Sequence, residues 1–240
     1  MAHIKFGNVD FSTEEMFIFS GGAYSAPVRD VTREAVLGRN GDIIVDNGRY
    51  MNTTARFVVN VQGDVPRNIE RLKYMLYSQK GYQRLYDSTA KDFYRMACFT
   101  DGFELTNADG GNILLTFNCK PHKYSISGDE WQDILNEGGT QEKVIVNPFF
   151  ENALPLIYVK EASSGVVVVN DVSVVIKNSK GELYIDAENK NAYYKRGETG
   201  AIYNANNVIN TTDVFLKHGE NTVYASEGLT AKIMPRWCTI

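Results

Sequence analysis

The sequence predicts a mainly β protein of the α+β type, with one α-helix and two domains. Residues 53–61 alternate between apolar and polar positions, which is typical of a half-buried strand. A single segment, residues 64–81, has the apolar spacing of a helix, and the second half consists of short apolar runs separated by turn residues. With 240 residues, 43% of them hydrophobic, the chain is long enough to bury one large or two modest cores.

Residues 38–61 hold the longest alternating pattern of the first half. Asn40-Gly41 and Asn47-Gly48 tolerate the positive φ that tight hairpin turns require. Between them, residues 42–46 form a short apolar segment bounded by charge. One face of the strand that follows is Met51, Thr53, Ala55, Phe57, Val59 and Val61. We therefore predict a β-meander with charged edges in this region.

A single amphipathic helix follows the meander. Asp64 is suited to cap its N-terminus, and Pro66 fits the first turn, where a missing N–H does no harm. Gly81 provides a stop signal. The residues at helical spacing on the apolar face are Ile69, Leu72, Met75 and Leu76. This pattern predicts a helix packed on a sheet.

The second half is predicted to be a β-sandwich, because short strands recur there at nearly regular spacing with hardly any helical period. Residues 125–140 are polar and glycine-containing, as domain linkers often are. We therefore place a first domain at residues 1–137 and a second at residues 144–240.

Composition argues against several functional classes. The net charge of −4, from 25 basic and 29 acidic residues, does not suit a strongly basic nucleic-acid surface. The sequence contains no apolar run of the roughly 18 residues that a transmembrane helix needs, so we expect a soluble protein without a membrane partner. No export signal is recognisable behind the N-terminus. Cys98, Cys119 and Cys238 lack metal-ligand spacing and are expected to be buried free thiols.

Candidate catalytic and metal-binding groups are scattered. His3, His122 and His218 are isolated from one another in sequence. Acidic pairs such as Asp101 with Glu104 or Asp186 with Glu188 have the residue types of a glycosidase. Such pairs are common in a chain with 22% charged residues, so we interpret them as solvated turns. Neither a phosphate-binding loop nor a nucleophile elbow is present in the sequence. We therefore predict no enzymatic activity, no cofactor and no metal.

The order of motifs along the chain carries a family resemblance. In the first half the motifs are Gly38-Arg39-Asn40-Gly41-Asp42, Asp46-x-Gly48-x-Tyr50-x-Asn52, the helix, Gly81-Tyr82-x-Arg84-Leu85-x-Asp87-Ser88, Asp92-x-Tyr94-Arg95-x-Ala97 and Phe117-x-Cys119-x-Pro121-x-x-Tyr124. In the second half they are Asn147-Pro148, Pro155-Leu156-Ile157, Ile185-Asp186, Gly219-x-Asn221 and Pro235-Arg236-Trp237. In this order the chain resembles, over nearly its full length, the distal tail (Dit) protein family of long-tailed, non-contractile bacteriophages.

The resemblance implies a structural part of the baseplate hub. The first domain would be a β-sandwich that forms a homohexameric ring around the DNA channel, with a β-hairpin arm bracing the neighbouring subunit. The second domain would be a galectin-like β-sandwich outside the ring. The implied partners are the tail tube protein, the tail-associated or tail fibre protein and a receptor-binding protein, while DNA passes without specific binding. The protein would be made in the host cytoplasm and would reside at the distal end of the virion tail.

A subunit interface is the main site that we predict, because strands with mixed charge and exposed edges suit the contacts of a ring. Its predicted residues are Arg29, Arg33, Gly38, Arg39, Asn40, Gly41, Asp42, Asp46, Arg49 and Tyr50.

Three alternatives to the hub function stay open at this point. The first is a carbohydrate-binding module or adhesion component that contacts host cell-wall sugars, with an aromatic platform drawn from Tyr184, Tyr193, Tyr194 and Tyr203. Sugar-array binding by residues 144–240 would distinguish it. The other two are a wall hydrolase, for which the sequence offers no catalytic constellation, and a tail-tube subunit, for which one β-domain usually suffices.

Overall fold

The computed structural model describes residues 3–14, 16–20, 22–103, 111–134, 142–160, 164–196 and 200–240. The chain divides into two compact units, Met1–Lys123 with Ile240, and Tyr124–Thr239. This division falls earlier than the predicted boundary between residues 137 and 144. The physical reason is that Ile134 is buried in the core of the second unit, and Gln132 and Asp133 pair with a strand of that unit. The linker was predicted from the polar and glycine-containing composition of residues 125–140, which surround this buried isoleucine.

The described residues of the first unit form one extended antiparallel sheet, one hairpin, one α-helix and two short 3-10 helices. Its elements are β1 (Ile4–Phe6), β2 (Val9–Asp10), β3 (Phe17–Phe19), β4 (Ala23–Tyr24), β5 (Arg29–Glu34), β6 (Ile43–Tyr50), β7 (Thr53–Val61), α1 (Val65–Tyr77), β8 (Gln83–Asp87), β9 (Phe93–Cys98) and β10 (Asn112–Ser125). The strand order is β2-β1-β8-β9-β10-β7-β3, and β4 also pairs with β7.

This sheet curls around an aromatic core. In the strand order β1 and β10 are three strand spacings apart, about 14 Å in a flat sheet, yet the ring centroids of Phe6 and Phe117 are 5.0 Å apart. Phe11 follows β2 at one end of the sheet, and its ring lies 5.2 Å from that of Phe19 in β3 at the other end. The β-sandwich predicted for this part of the chain is thus formed by one sheet that folds back on itself.

The helix prediction is confirmed. Asp64 is the N-cap, and its carboxylate accepts a hydrogen bond of 3.3 Å from the backbone N–H of Arg67. Leu72 and Leu76 are completely buried in the aromatic core, with Ile69 and Met75 packed at its edge. The helix ends at Tyr77, before Gly81, and its apolar stripe is what fastens it to the sheet.

The alternation in β7 is also confirmed. Its odd-numbered residues from Thr53 to Val61 are buried, whereas Val58, which interrupted the pattern, is exposed on the outer face. Met51 was expected on the buried face but is exposed, because it precedes the strand.

The second unit is a two-sheet sandwich, as predicted. Its strands are β11 (Gln132–Asp133), β12 (Glu142–Asn147), β13 (Leu156–Lys160), β14 (Ser164–Val169), β15 (Val172–Lys177), β16 (Leu183–Asp186), β17 (Asn191–Arg196), β18 (Ala201–Asn204), β19 (Gly219–Ala225) and β20 (Thr230–Met234). A short strand that follows, β21 (Cys238–Thr239), belongs to neither sheet of the sandwich. One sheet has the order β11-β20-β13-β16-β17-β18 and the other β12-β19-β14-β15. Alternate residues of both sheets, such as Ile157, Leu183, Val167 and Val223, share one core. The galectin-like character of this sandwich stays a prediction.

Candidate assembly surface

The predicted interface residues lie in a hairpin that pairs with no other described strand. Strands β5 and β6 form a two-stranded sheet of their own, with Glu34 opposite Ile43 at the far end. At the near end the backbone N–H of Met51 donates to the carbonyl of Val28 at 2.8 Å. We call residues 28–51 the arm. An isolated two-stranded hairpin is marginally stable in water, so the arm is a segment whose own contacts hold it weakly.

The predicted meander is wrong in two respects. First, β7 pairs with β10, β3 and β4 rather than with β6. Second, Asn47-Gly48 is a bulge inside β6 and not a turn. Tyr50 pairs with Arg29 and Asp46 with Val31, so Asn47, Gly48 and Arg49 lie opposite Asp30 alone. Gly48 has a φ of +71°, and bulges and hairpin turns share this demand for positive φ.

The Asn40-Gly41 signal marks the hairpin connection, as predicted. Residues 35–42 connect the two strands, and Gly38 and Gly41 have φ values of +78° and +83° within it. This connection is the tip of the arm.

Charged side chains near the base of the arm pair with one another. Arg29 Nη1 lies 3.2 Å from Asp46 Oδ2, and Arg49 Nε lies 2.6 Å from Asp30 Oδ2. The side-chain amide of Asn47 donates to Asp30 Oδ1 at 3.0 Å, and hydrogen bonds from Asn47 and then Arg49 lower the pKa of Asp30. The guanidinium of Arg29 also lies 5.0 Å from the ring centroid of Tyr50. Exposed ion pairs stabilise little, so these contacts order the base of the arm more than they stabilise it.

The tip and the strand ends next to it differ from the base of the arm, because several of their charged side chains are unmatched. The side chains of Arg33, Arg39 and Asp42 make no hydrogen bond or ion pair with any described residue. Leu37 is fully exposed, and Ile44 and Val45 are also exposed on β6. Exposed apolar groups next to unpaired charges are typical of a surface that meets a partner.

The four predicted platform tyrosines of the second unit divide between two faces. Tyr184 and Tyr193 are directly opposite each other on β16 and β17 and stack at 5.4 Å with an interplanar angle of 5°. Tyr194 points to the other face, packs against the core and accepts a hydrogen bond of 3.2 Å from the backbone N–H of Lys180. Tyr203 is opposite Tyr194 in the register and so shares its face. The structure therefore brings only Tyr184 and Tyr193 together on the outer face.

Sequence reasoning missed four neighbours of these two tyrosines: Trp131, Tyr158, Lys195 and Lys232. Tyr158 pairs with Tyr184 on one side and with Lys232 on the other. Lys232, Tyr158, Tyr184 and Tyr193 thus form a row across neighbouring strands, which only the strand register creates. The one available signal was the i, i+2 spacing of Tyr193 and Lys195, which places both on one face of a strand.

Reaction chemistry is not evident within the described ranges. No group of three or more His, Cys, Asp or Glu side chains among these residues is arranged to hold a metal ion. Asp186 of one predicted acidic pair is bound by Arg236, and Glu104 of another lies outside the described residues. A cavity of about 220 Å³ in the first unit contains Asp87, but this carboxylate accepts hydrogen bonds from Tyr24 and Thr89. These hydrogen bonds give Asp87 a structural role, so its position in the cavity does not require a catalytic one.

Two of the three thiols are buried, as predicted. Burial raises the pKa of Cys119 to about 11 and that of Cys238 to about 12, and all three cysteines are free. Cys98 is only half-buried. Among the described helices, none has the length and apolar character to cross a membrane.

These features define a class of chain: a mainly β protein with a curled first sheet that carries a hairpin arm, followed by a two-sheet sandwich. Neither a family model nor a curated protein sequence matches the chain. Solved structures with this fold include SPP1 Dit (gp 19.1), described as a paradigm of the hub adsorption apparatus in phages that infect Gram-positive bacteria, with a TM-score of 0.69. They also include the phage P2 baseplate in its activated conformation with Ca and with Sr, with TM-scores of 0.56 and 0.54.

Each of these structures is 13% identical to the chain, and each match covers 97% of both chains. At this identity the likeness establishes the fold. The resemblance to Dit proteins read from the sequence is thus confirmed at the level of the fold, over both units of the chain.

Proposed function

We propose that this protein is a structural distal tail protein of a long-tailed bacteriophage, located in the baseplate hub at the distal end of the virion tail. Six copies form a ring around the DNA channel and join the tail tube protein to the tail-associated or tail fibre proteins. The observation that carries this proposal is the match to SPP1 Dit over 97% of both chains. The match therefore spans both units of this chain and is not limited to one β-domain. A tail-tube subunit would need only one of them.

The surface of the arm agrees with the proposed ring. A closed ring is built from heterologous contacts, in which one surface of a subunit meets a different surface of the next. The arm exposes Leu37, Ile44 and Val45 and leaves Arg33 and Arg39 unmatched by described residues of its own chain. A neighbouring subunit would cover the apolar side chains and supply the opposing charge. The arm is then ordered by the assembly that it stabilises.

A structural function also agrees with the chemistry of the described residues, which offers no catalytic constellation. The net charge of −4 suits a channel that DNA passes without being bound.

The role of the arm is tested by reversing charges that have no described partner within the chain. Arg49 is paired with Asp30, so replacing it would disturb the arm itself, whereas Arg33 and Arg39 have no described partner to lose. The variant of choice is therefore Arg33→Glu/Arg39→Glu. The matched control is Lys160→Glu/Lys177→Glu, which makes the same charge change at two exposed strand-end lysines of the second unit.

Wild-type and control proteins should form rings in negative-stain images, alone or when mixed with the tail tube protein, and light scattering should give a hexamer mass. The arm variant should remain monomeric or form rings only at higher concentration. Rings that form equally well with the arm variant would refute the role of the arm. Absence of rings under both conditions would refute the hub function.

A further inference from the structure

The outer face of the six-stranded sheet of the second unit carries an open groove lined with aromatic and basic side chains. Its lining residues are Trp131, Tyr158, Tyr184, Lys195 and Lys232, and its volume is about 320 Å³. We call it the aromatic groove. The ring centroids of Tyr158 and Tyr184 are 5.1 Å apart, and that of Trp131 is 6.1 Å from Tyr158. Tyr193 extends the row by stacking on Tyr184.

Core packing does not explain these aromatic residues. The positions that alternate with them along the same strands, such as Ile157, Ile185 and Ala192, already fill the sandwich core. Cross-strand aromatic pairs contribute about 0.2–1 kcal/mol each, which accounts for neighbouring tyrosines but not for a groove at their edge. Trp131 is 40% exposed, so much of its indole ring is open to a ligand.

Several polar atoms around the aromatic groove are available to a ligand. The indole N–H of Trp131 and the phenol groups of Tyr184 and Tyr193 make no hydrogen bond to any described residue. Burial raises the pKa of both phenols, so they remain protonated donors at neutral pH. Beside Tyr184, the hydroxyl of Tyr158 donates to Glu182 Oε1 at 2.8 Å, which places a carboxylate acceptor nearby.

Two lysines line the aromatic groove, and each can meet a negatively charged group of a ligand, while the nearby carboxylates of Glu182 and Asp133 contact Tyr158 and Lys232. Lys195 Nζ lies 4.4 Å from the ring centroid of Tyr184 and makes no ion pair with a carboxylate among the described residues. Lys232 Nζ lies 3.0 Å from Asp133 in an exposed pair, which stabilises little and is easily exchanged. One ammonium group is therefore unmatched and a second is weakly held, both beside the same aromatic rings.

We propose that the aromatic groove binds an acidic saccharide. The apolar face of a pyranose ring packs against Trp131 and Tyr158, its hydroxyl groups meet the indole and phenol donors, and its carboxylate or phosphate group is held by Lys195 and Lys232. A volume of about 320 Å³ is at the lower end of ligand sites and suits one or two sugar units. Because the groove is open, a longer chain can continue beyond it. This site does not depend on formation of the ring.

The chain contains its own reporter for this site. Of its two tryptophans, Trp131 lines the aromatic groove while Trp237 is only 5% exposed in the core. The full-length protein is titrated with three probes: a glucuronate-containing hyaluronan tetrasaccharide, maltotetraose carrying a 6-phosphate group, and neutral maltotetraose. Tryptophan fluorescence and isothermal titration calorimetry are recorded for each. The first two probes distinguish a carboxylate from a phosphate ligand.

We expect saturable binding of at least one acidic probe, with a change in tryptophan emission, and roughly tenfold weaker binding of the neutral probe. Lys195→Gln should weaken the acidic probe by about tenfold, and Trp131→Phe should abolish the emission change. Lys190→Gln, a substitution of an exposed lysine paired with Asp213 elsewhere in the second unit, is the matched control and should bind as wild type. Circular dichroism confirms that each variant is folded.

Three results would overturn the proposal. They are no binding of either acidic probe at millimolar concentration, binding that Lys195→Gln and Trp131→Phe both leave unchanged, and equal affinity for acidic and neutral probes. Ring formation is measured separately in the arm experiment, so failure here leaves the hub function intact.

Discussion

Arg236 and Asp186 form a buried bidentate ion pair in the second unit. Arg236 Nη1 lies 2.8 Å from Asp186 Oδ1, and Nη2 lies 3.2 Å from Oδ2. The two side chains are 17% and 5% exposed. The same carboxylate accepts hydrogen bonds from Asn189 and from the backbone N–H of Glu188, in the turn between β16 and β17. The pair thus joins two motifs that stand far apart in the sequence, Ile185-Asp186 and Pro235-Arg236-Trp237, and fastens the last segment of the chain to that turn.

We expect Asp186→Asn to lower the free energy of unfolding by about 3 kcal/mol, because it removes the bidentate counter-charge of a buried guanidinium. Glu188 Oε2, 3.7 Å from Arg236 Nη1, would then be the nearer remaining carboxylate and would offset part of the loss. Asp213→Asn is the matched control, since Asp213 pairs with Lys190 at 3.3 Å on the exposed surface. It should cost no more than about 1 kcal/mol. Urea unfolding followed by circular dichroism measures both. Equal effects of the two substitutions would show that the buried pair is no more stabilising than a surface pair.

The same carboxylate predicts a pH dependence. Burial alone would raise the pKa of Asp186, but hydrogen bonds from Arg236 and Asn189 hold it below its usual value. A carboxyl group with a lowered pKa in the folded state contributes stability above its unfolded pKa of about 3.9, and this stability is lost as the pH falls through the folded value. Urea unfolding between neutral pH and acid should therefore give a steeper loss of stability below about pH 4 for wild type than for Asp186→Asn. Parallel curves would argue against a lowered pKa.

The helix of the first unit is expected to depend on its buried stripe. Leu76→Ala removes a side chain that is completely buried against the aromatic core and should cost about 2–5 kcal/mol. Tyr74→Ala, on the exposed side of the same helix, should change stability by no more than about 0.5 kcal/mol. Thermal and urea unfolding of both variants provide the measurement. A small effect at Leu76 would mean that the sheet does not need the helix to complete its core.

The three thiols should react in a definite order. Cys119 and Cys238 are buried and their pKa values are raised to about 11 and about 12. Burial and then the charge of Asp101 also raise the pKa of Cys98, but its side chain is only half-buried. With Ellman's reagent at pH 8, the native protein should show one faster thiol, which Cys98→Ser removes. A fast phase that survives this substitution would place the reactive thiol elsewhere.

Local patterns determined much of the fold. The apolar stripe and the Asp64 cap specified the helix, and the period of two in β7 specified which face is buried. Both signals reside within one element, where backbone geometry sets the side-chain period. The mixed charges between Arg29 and Tyr50 likewise predicted an assembly surface before any strand partner was known, and that use is a proposal.

What depends on partners distant in sequence was decided by the tertiary structure. Asn47-Gly48 has the residues of a turn but forms a bulge, because Asp30 on the opposite strand sets the register there. Ile134 lies in a polar stretch of sequence, yet it is buried in the core of the second unit. The row of Tyr158, Tyr184 and Tyr193 exists only because three strands pair in one register. A strand's own residues determine its two faces, but many partners satisfy the same backbone hydrogen bonds, so only packing of the whole chain selects which side chains meet.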